Sequence, residues 1–354
     1  MEDDKNDSGV RSQDSVTATQ NLKLKSQNSK LKTPPASRLP PPPGIIDVAA
    51  AVIVRPDGKF LLAQRPQAKP YAGYWEFPGG KLLPGETPLA ALKRELKEEL
   101  DLTLESAWPW LTRNYAYPHA SVRLHFFRVY RWNGNARGLE GQEVAWQLPE
   151  KPSVAPMLPA NAPVLSALTL PALYAISNAQ EIGTEPFLNR LQSALERGVK
   201  MIQLREKEMP LGDFEKLAQR VVNSAKAHSA KVLVNSAHLS EAGKLGANGI
   251  HLTAEQLMQC EKRPEFELVA ASCHDEIELA CAAQLELDFV VLGPVRKTPT
   301  HRQQKPLGWR NFSRLISSYP LPVYAIGGMQ KNDLEQAWRS GAHGLATIRG
   351  LIQD

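Results

Sequence analysis

Gly79 to Leu102 reads GGKLLPGETPLAALKRELKEELDL, and its second half decides the first fold in the chain. Glu95, Glu98 and Glu99 stand at offsets of three and four, so on a helix of about 3.6 residues per turn their carboxylates share one edge. Leu89, Leu92, Leu96 and Leu100 form a separate stripe about a quarter-turn away. The spacing therefore predicts a helix that buries one side and holds acid along another. Pro84-Gly85 predicts a turn, Thr87 an N-cap, Pro88 the first helical position, and Glu86 sits on the loop just outside. Like charges four apart destabilise a helix by roughly 0.2–0.5 kcal/mol, and Lys93, Arg94 and Lys97 offset that only in part. A divalent cation would turn the repulsion into affinity, and hard oxygen donors select Mg²⁺, with Mn²⁺ as the alternative.

The wider spacing carries a resemblance. Gly80, five residues, Glu86, seven residues, then Arg94-Glu95-Leu96-Lys97-Glu98-Glu99 and an apolar Leu102 resembles the signature of the Nudix hydrolases. The family's usual Gly near the helix end is Asp101 here. Asp enters the left-handed region less easily than Gly, so a slightly strained helix end is expected. Trp75-Glu76-Phe77-Pro78-Gly79-Gly80-Lys81 and Gly85-Glu86-Thr87-Pro88 resemble the MutT-type 8-oxo-dGTP diphosphatases, and Pro159-Ala160-Asn161-Ala162-Pro163 is similar to their purine-reading loop.

That resemblance implies a set of roles. Gly79, through its carbonyl, and Glu95, Glu98 and Glu99 would hold metal, with Glu140 as an added ligand or base. Glu95, Glu98 and Glu140 would be the catalytic carboxylates. Arg65 would contact the nucleotide, Glu76, Phe77, Pro78 and Gly79 would line its pocket, and the Asn161 amide would read the oxidised purine edge, which demands both a donor and an acceptor. The substrate implied is a nucleoside triphosphate, 8-oxo-dGTP, cleaved to 8-oxo-dGMP and diphosphate in sanitation of the nucleotide pool. A histidine sometimes found five residues after the arginine is Pro70 here, so base selectivity rests on fewer residues than the phosphate chemistry does.

The chain of 354 residues, 42% hydrophobic, is long enough for about two domains with separate cores. Its net charge of +5 is mild, and residues 1–44 alone hold seven Lys or Arg against five acids. Charge therefore does not support a nucleic-acid groove. Cys260, Cys273 and Cys281 form no CxxC pair and read as reduced thiols of a cytoplasmic protein. Residues 1–44, rich in Ser, Asn, Gln, Lys and Pro, read as a disordered tail. Glu2, Asp3 and Asp4 without a following apolar block argue against a targeting peptide, and no later run is apolar enough for a membrane span.

Residues 45–150 read as an α+β domain. IIDVAAAVIV and KFLLAQR flank a PDG turn and predict a hairpin before the acidic helix; 107–117, 122–132 and 144–148 predict later strands. Residues 151–171, with Pro152, Pro156, Pro159, Pro163 and Pro171, read as loop and linker. Eight short apolar runs then follow at 172–177, 201–205, 232–235, 249–252, 268–272, 289–292, 323–326 and 344–348, with helix-like segments between most of them. They predict a (β/α)8 TIM barrel over 172–354, with chemistry at the C-terminal ends of the strands.

The residues at those ends resemble the thiamine-phosphate synthase family and its TenI-like relatives: Gln203-Leu204-Arg205-Glu206-Lys207, Gly249-Ile250-His251-Leu252, Ser272-Cys273-His274, Leu292-Gly293-Pro294-Val295 with Thr298 and Thr300, and Ala325-Ile326-Gly327-Gly328. The resemblance implies a phosphate or thiamine-type ligand held by Gln203, Arg205, Lys207, Asn235, Thr298, Thr300, Gly327 and Gly328. Synthases of this family follow the third strand with Asn-Asp and a further Asp, whereas Asn235 here is followed by Ser236, with His238-Leu239 near the second position. Neutral Ser cannot replace a carboxylate on Mg²⁺. Ligand binding without synthesis is expected; a bifunctional enzyme and a purely structural barrel are the alternatives. Oligomeric state and the reason for joining the two halves are not legible in the residues.

Overall fold

The computed structural model describes residues 44–235, 241–297 and 305–349. The tail and the Ser236, His238, Leu239, Thr298 and Thr300 positions lie outside the described residues.

The first half is built on two small sheets. β1 (Ile45–Ile53), β4 (Gly79–Lys81), β5 (Thr103–Tyr117) and β6 (Ala120–Asn133) form one sheet in the order β4-β1-β6-β5, with β1 parallel to β6. β2 (Phe60–Gln64), β3 (Trp75–Glu76) and β7 (Val144–Gln147) form the other, in the order β3-β2-β7. The expected β1–β2 hairpin is corrected here. Its PDG turn exists, with the Gly58 N–H on the Arg55 carbonyl, but Val54 and Phe60 make only an isolated bridge before the strands diverge into different sheets. The physical reason is in β1 itself, where Ala49 to Ile53 are buried on both faces. A strand with no solvent face belongs in the middle of a layered structure.

α1 (Pro88–Leu100) covers one face of the larger sheet. Leu92, Leu96 and Leu100 are fully buried against Ala49, Ala51, Ile53 and Val129, and each such side chain contributes about 1.5–3 kcal/mol. The Thr87 hydroxyl accepts from the Ala90 N–H at 3.2 Å, and Pro88 opens the helix. Asp101 ends it at φ 57°, ψ 32°, the left-handed position that glycine adopts most easily. On the opposite face Ala50, Phe60, Trp75, Phe77, Trp110 and Phe126 pack with Val164 and Ala167 of α2 (Ala162–Leu168). The stretch read as linker thus contains a helix docked on this core, preceded by one 3₁₀ turn at Pro159–Asn161. Proline early in a helix starts it rather than breaking it.

The second half is a closed parallel barrel of β8 (Leu173–Ile176), β9 (Met201–Leu204), β10 (Lys231–Asn235), β11 (Gly249–Leu252), β12 (Leu268–Cys273), β13 (Phe289–Leu292), β14 (Val323–Ile326) and β15 (Gly344–Thr347), neighbours in sequence order. Helices α3 (Ala179–Ile182), α4 (Thr184–Glu196), α5 (Leu211–Ala227), α6 (Ala254–Gln259), α7 (Glu276–Gln284), α8 (Gly308–Leu315) and α9 (Leu334–Arg339) surround it. Tyr174, Met201, Leu233, Phe289 and Tyr324 fill the interior. Strands buried inside and outside read as short continuous apolar runs, which is why all eight were visible in sequence. Among the described residues no helix is long and apolar enough to cross a membrane.

The two halves meet on the floor of the barrel, at the loops that lead into β8, β14 and β15. Arg128 of β6 is buried and donates to the His343 carbonyl and to its Nδ1, both at 2.8 Å, while its guanidinium lies 4.2 Å from the Trp110 ring centroid. Because arginine only donates, His343 Nδ1 accepts, and Nε2–H donates to the Leu170 carbonyl at 2.9 Å. Burial and then Arg128 hold the His343 imidazole well below its usual pKa, so it is neutral. Trp108 and Tyr130 stack on Trp338 with centroids 5.4 and 5.1 Å away, and Arg113 donates to the Pro320 carbonyl at 2.9 Å.

Candidate functional site

α1 carries the acidic edge from the interior to the surface. The Glu99 side chain is 10% exposed and that of Glu98 59%, with Glu95 between them at 16%. Two basic side chains sit among these acids. Arg94 grips Glu86 through Nε at 3.1 Å and Nη2 at 2.9 Å, and its Nη1 donates to Glu95 at 2.8 Å and Glu98 at 3.3 Å. These bonds from Arg94, then the Leu83 N–H, hold Glu86 below the usual carboxylate range. Lys69, from the loop after β2, donates to Glu99 at 3.0 Å and to Glu140 at 3.4 Å. Burial pushes the Glu99 carboxyl up, and the Lys69 contact only partly reverses that. Burial alone would lower the Lys69 ammonium, yet Glu99 and then Glu140 leave it above its ordinary value.

Two glycines shape the floor of this cluster. Gly80 pairs with Ala49, and a Cβ there would stand 2.1 Å from the Glu95 carboxyl carbon. Gly79, at φ +148°, would place a Cβ 2.0 Å from the Ala49 carbonyl oxygen. The loop bearing Glu140 is fastened by Gln142, which accepts from the Glu140 N–H at 2.7 Å and donates to the Glu99 carbonyl at 3.1 Å. Among the described residues no three acidic, His or Cys side chains converge into a ready cation cage. The donor set nevertheless suits a hard divalent ion: it is all oxygen, Gly80 leaves room for the Glu95 carboxylate, and an ammonium already stands between Glu99 and Glu140 in the place of a cation.

Beside this cluster Arg65 donates from Nη1 to Glu76 at 2.5 Å and from Nε to the Pro70 carbonyl at 2.7 Å. Burial outweighs the arginine and pushes the Glu76 carboxyl up. Asn161 is buried next to β3, its amide donating to the Trp75 carbonyl at 3.2 Å. Tyr117, pushed up to about 12 by burial and then by Glu76, lies on the same side, packed with Tyr71 and His119.

At the barrel rim the end of β9 presents two cations and one inward acid. Glu206 is buried and accepts from the Ser177 hydroxyl at 2.5 Å and from the Ala179 and Gln180 N–H groups at 2.8 Å. It is therefore committed to the start of α3. Arg205 is lowered by burial, and Lys207 is lowered first by the Arg205 charge and then by burial. Beneath them a polar chain crosses the interior. Gln203 Nε2 donates to the Tyr174 hydroxyl at 3.3 Å, that hydroxyl meets His251 Nδ1 at 3.3 Å, and His251 Nε2 meets the Ser272 hydroxyl at 3.0 Å. Burial, then Arg205, takes His251 down to about 3. Gly327 and Gly328 follow β14 at φ +111° and +66°, and a Cβ on Gly327 would meet the Val295 nitrogen at 2.9 Å, so the turn requires glycine.

A family model for the NUDIX domain matches residues 45–168, and one for thiamine monophosphate synthase matches residues 173–351. The CTP pyrophosphohydrolase of Escherichia coli is 39% identical over 123 residues, covering 35% of this chain and 90% of that protein. The chain is a Nudix hydrolase joined to a barrel of the thiamine monophosphate synthase family. The Nudix half is also 38% identical over 124 residues to the 8-oxo-dGTP diphosphatase of Haemophilus influenzae, 35% of this chain and 91% of that one. The barrel is 35% identical over 190 residues to a protein described as putative thiamine-phosphate synthase 2 of Aquifex aeolicus, 52% of this chain and all of that protein. The Nudix half is an enzyme that acts on phosphoric anhydrides.

Within the Nudix domain the sequence-derived residues Gly79, Glu95, Glu98, Glu99 and Glu140 lie around one cluster, and Arg65 and Glu76 around a neighbouring pair. Phe77 and Pro78 are buried, Phe77 packing between Phe60 and Phe126 rather than opening to solvent. In the barrel, Asn235 is buried with its amide on the His251 carbonyl at 3.3 Å. Lys69, Gln142 and the bridging role of Arg94 were missed. Nothing in local spacing marks Lys69 or Gln142, which reach the acidic helix from segments 30 and 43 residues away, whereas the i,i+4 spacing of Arg94 to Glu98 was a signal for its bridging.

Proposed function

We propose that the Nudix domain hydrolyses a nucleoside triphosphate to the monophosphate and diphosphate with Mg²⁺, 8-oxo-dGTP being the preferred substrate. The observation that carries the reading is the graded carboxylate edge of Glu95, Glu98 and Glu99 with Glu140 across from it, already bridged by a cationic side chain. Glu95, Glu98, Glu99, Glu140 and the Gly79 carbonyl would hold the divalent ion, which when bound supplies neutralising charge for the diphosphate and orientation for water. Arg94 keeps Glu86 in place and steadies Glu95 and Glu98 from below. Arg65 and Glu76 would meet the nucleotide, and Asn161, rigid beside Trp75, would present its remaining amide functions to the purine edge. The exposed Glu98 is suited to accept a proton from the attacking water.

For the barrel, Arg205 and Lys207 after β9, together with the Gly327-Gly328 turn after β14 at the same strand ends, support binding of a phosphate, with a thiamine-type phosphate as the ligand class. Coupling of thiamine precursors is not expected, since Ser236 replaces an acid of the synthases. One experiment tests the main reading: diphosphate release from a panel of normal and oxidised nucleoside triphosphates with Mg²⁺, in the full chain and in Glu98→Gln. Expected are selective turnover of 8-oxo-dGTP and its near-complete loss in the variant. Equal rates in both proteins would refute the assignment. In the same full chain, calorimetric titration with thiamine phosphate should give a micromolar to millimolar Kd that Arg205→Ala weakens, and no heat would leave the barrel without this ligand.

A further inference from the structure

The Lys69 ammonium occupies a place that the family signature does not account for. It comes from the loop between β2 and β3, reaches across to Glu99 near the end of α1, and touches Glu140 in the loop before β7. Its backbone is held on both sides: its own N–H bonds the Pro66 carbonyl at 3.1 Å, and the next residue, Pro70, accepts from Arg65 Nε at 2.7 Å. Glu99 is nearly buried, and a buried carboxylate without a countercharge is costly. Lys69 supplies that charge.

We propose that Lys69 is a placeholder cation, seated between Glu99 and Glu140 until a divalent ion displaces it, after which the freed ammonium holds the phosphates of the substrate. The proposal rests on the reading of Glu95, Glu98 and Glu99 as metal ligands. Two cations cannot share the oxygens of Glu99 without strong mutual repulsion, so one must leave. Lys69 is the one built to leave. It makes two contacts, at 3.0 and 3.4 Å, its side chain is 42% exposed, and a lysine is a single charge on a flexible stem. Arg94, by contrast, is forked onto Glu86 and bonded to three further acceptors, so it stays. A divalent ion held by these carboxylates would bring charge to the substrate phosphates, and the displaced Lys69 ammonium would be free to reach them.

The test uses the full chain and Mn²⁺ as the probe, titrated by electron paramagnetic resonance at low ionic strength without nucleotide. Lys69→Met removes the competitor and should bind Mn²⁺ roughly three- to tenfold more tightly, in line with two partly exposed ion pairs. Lys69→Arg, whose fork holds a carboxylate more firmly, should bind Mn²⁺ no more tightly than wild type, and Glu99→Gln should bind more weakly. In steady-state assays with a nucleoside triphosphate, Lys69→Met should raise KM several-fold. Tighter metal and weaker substrate in one variant have opposite signs, which a merely structural role for Lys69 does not produce. Unchanged or weaker Mn²⁺ binding in Lys69→Met, with Glu99→Gln still impaired, would overturn the placeholder and leave the metal ligands standing. Unchanged Mn²⁺ binding in Glu99→Gln would overturn the ligand assignment and the placeholder together, and an unchanged KM in Lys69→Met would overturn the contact with substrate.

Discussion

Gly80→Ala separates catalysis from folding in this chain. The added methyl would stand 2.1 Å from the Glu95 carboxyl carbon and 2.2 and 2.4 Å from its oxygens. Favourable contact between such atoms begins at about 3.5 Å, so the carboxylate must retreat by more than 1 Å and give up its position between Arg94 and the sheet. Misplacing a catalytic group by about 1 Å costs around 10²-fold in rate, equivalent to about 2.7 kcal/mol of transition-state stabilisation. The stability cost is small, because the atoms displaced are the far end of a flexible side chain and Gly80 is not in the left-handed region. Where the backbone tolerates it, Gly→Ala even contributes roughly 0.4–1 kcal/mol through the unfolded state. Gly79→Ala is the contrasting variant: at φ +148°, with the methyl 2.0 Å from the Ala49 carbonyl oxygen, it must push β4 away from β1. Diphosphate release with saturating Mg²⁺ and thermal unfolding should then show kcat/KM down about 100-fold in Gly80→Ala with Tm moved by no more than about 4 °C, and a large Tm loss in Gly79→Ala. Gly80→Ala turnover within threefold of wild type would refute the reasoning, as would a Tm loss as large as that of Gly79→Ala.

Asn161→Ala should lower the preference for 8-oxo-dGTP over dGTP more than it lowers dGTP turnover, because it deletes a base contact and no phosphate contact; equal losses on both substrates would count against the assignment. Stability should fall with pH below about 6.5, the unfolded histidine value, since burial keeps His343 and His251 neutral in the folded chain, His251 down to about 3. The sign follows from the unfolded chain taking up protons there while the folded one does not, at up to about 1.4 kcal/mol per pH unit for each histidine. Glu76 and Glu99, both raised by burial, act in the opposite sense, so the measurement is the difference in slope between wild type and His343→Gln in urea unfolding from pH 7.5 to 5.5. Parallel slopes would show that His343 plays no part.

The acidic helix was legible because everything that makes it is local. Helical spacing alone puts Glu95, Glu98 and Glu99 on one edge and Leu92, Leu96 and Leu100 on another, and Thr87 and Pro88 cap it from adjacent positions. The barrel was legible for a related reason, since strands buried on both faces announce themselves as short apolar runs and the polar residues that follow them fall on one rim. Partnership between distant segments was not legible. The β1–β2 turn was read correctly, yet the strands joined different sheets, because pairing is settled by which faces other elements cover. The prolines of residues 151–171 read as linker, yet Val164 and Ala167 had a core to enter. Lys69 became a countercharge only when folding brought Glu99 and Glu140 within 3.4 Å of it. Arg128 and His343, 215 residues apart, meet only in the packed floor of the barrel, where the arginine helps to keep the imidazole neutral. Sequence by itself determined the two folds and the chemistry of the acidic edge, because these depend on offsets within a helix or strand. Tertiary structure alone decided which charges neutralise which and how the halves join, because those are contacts made across space at burial that no local spacing encodes.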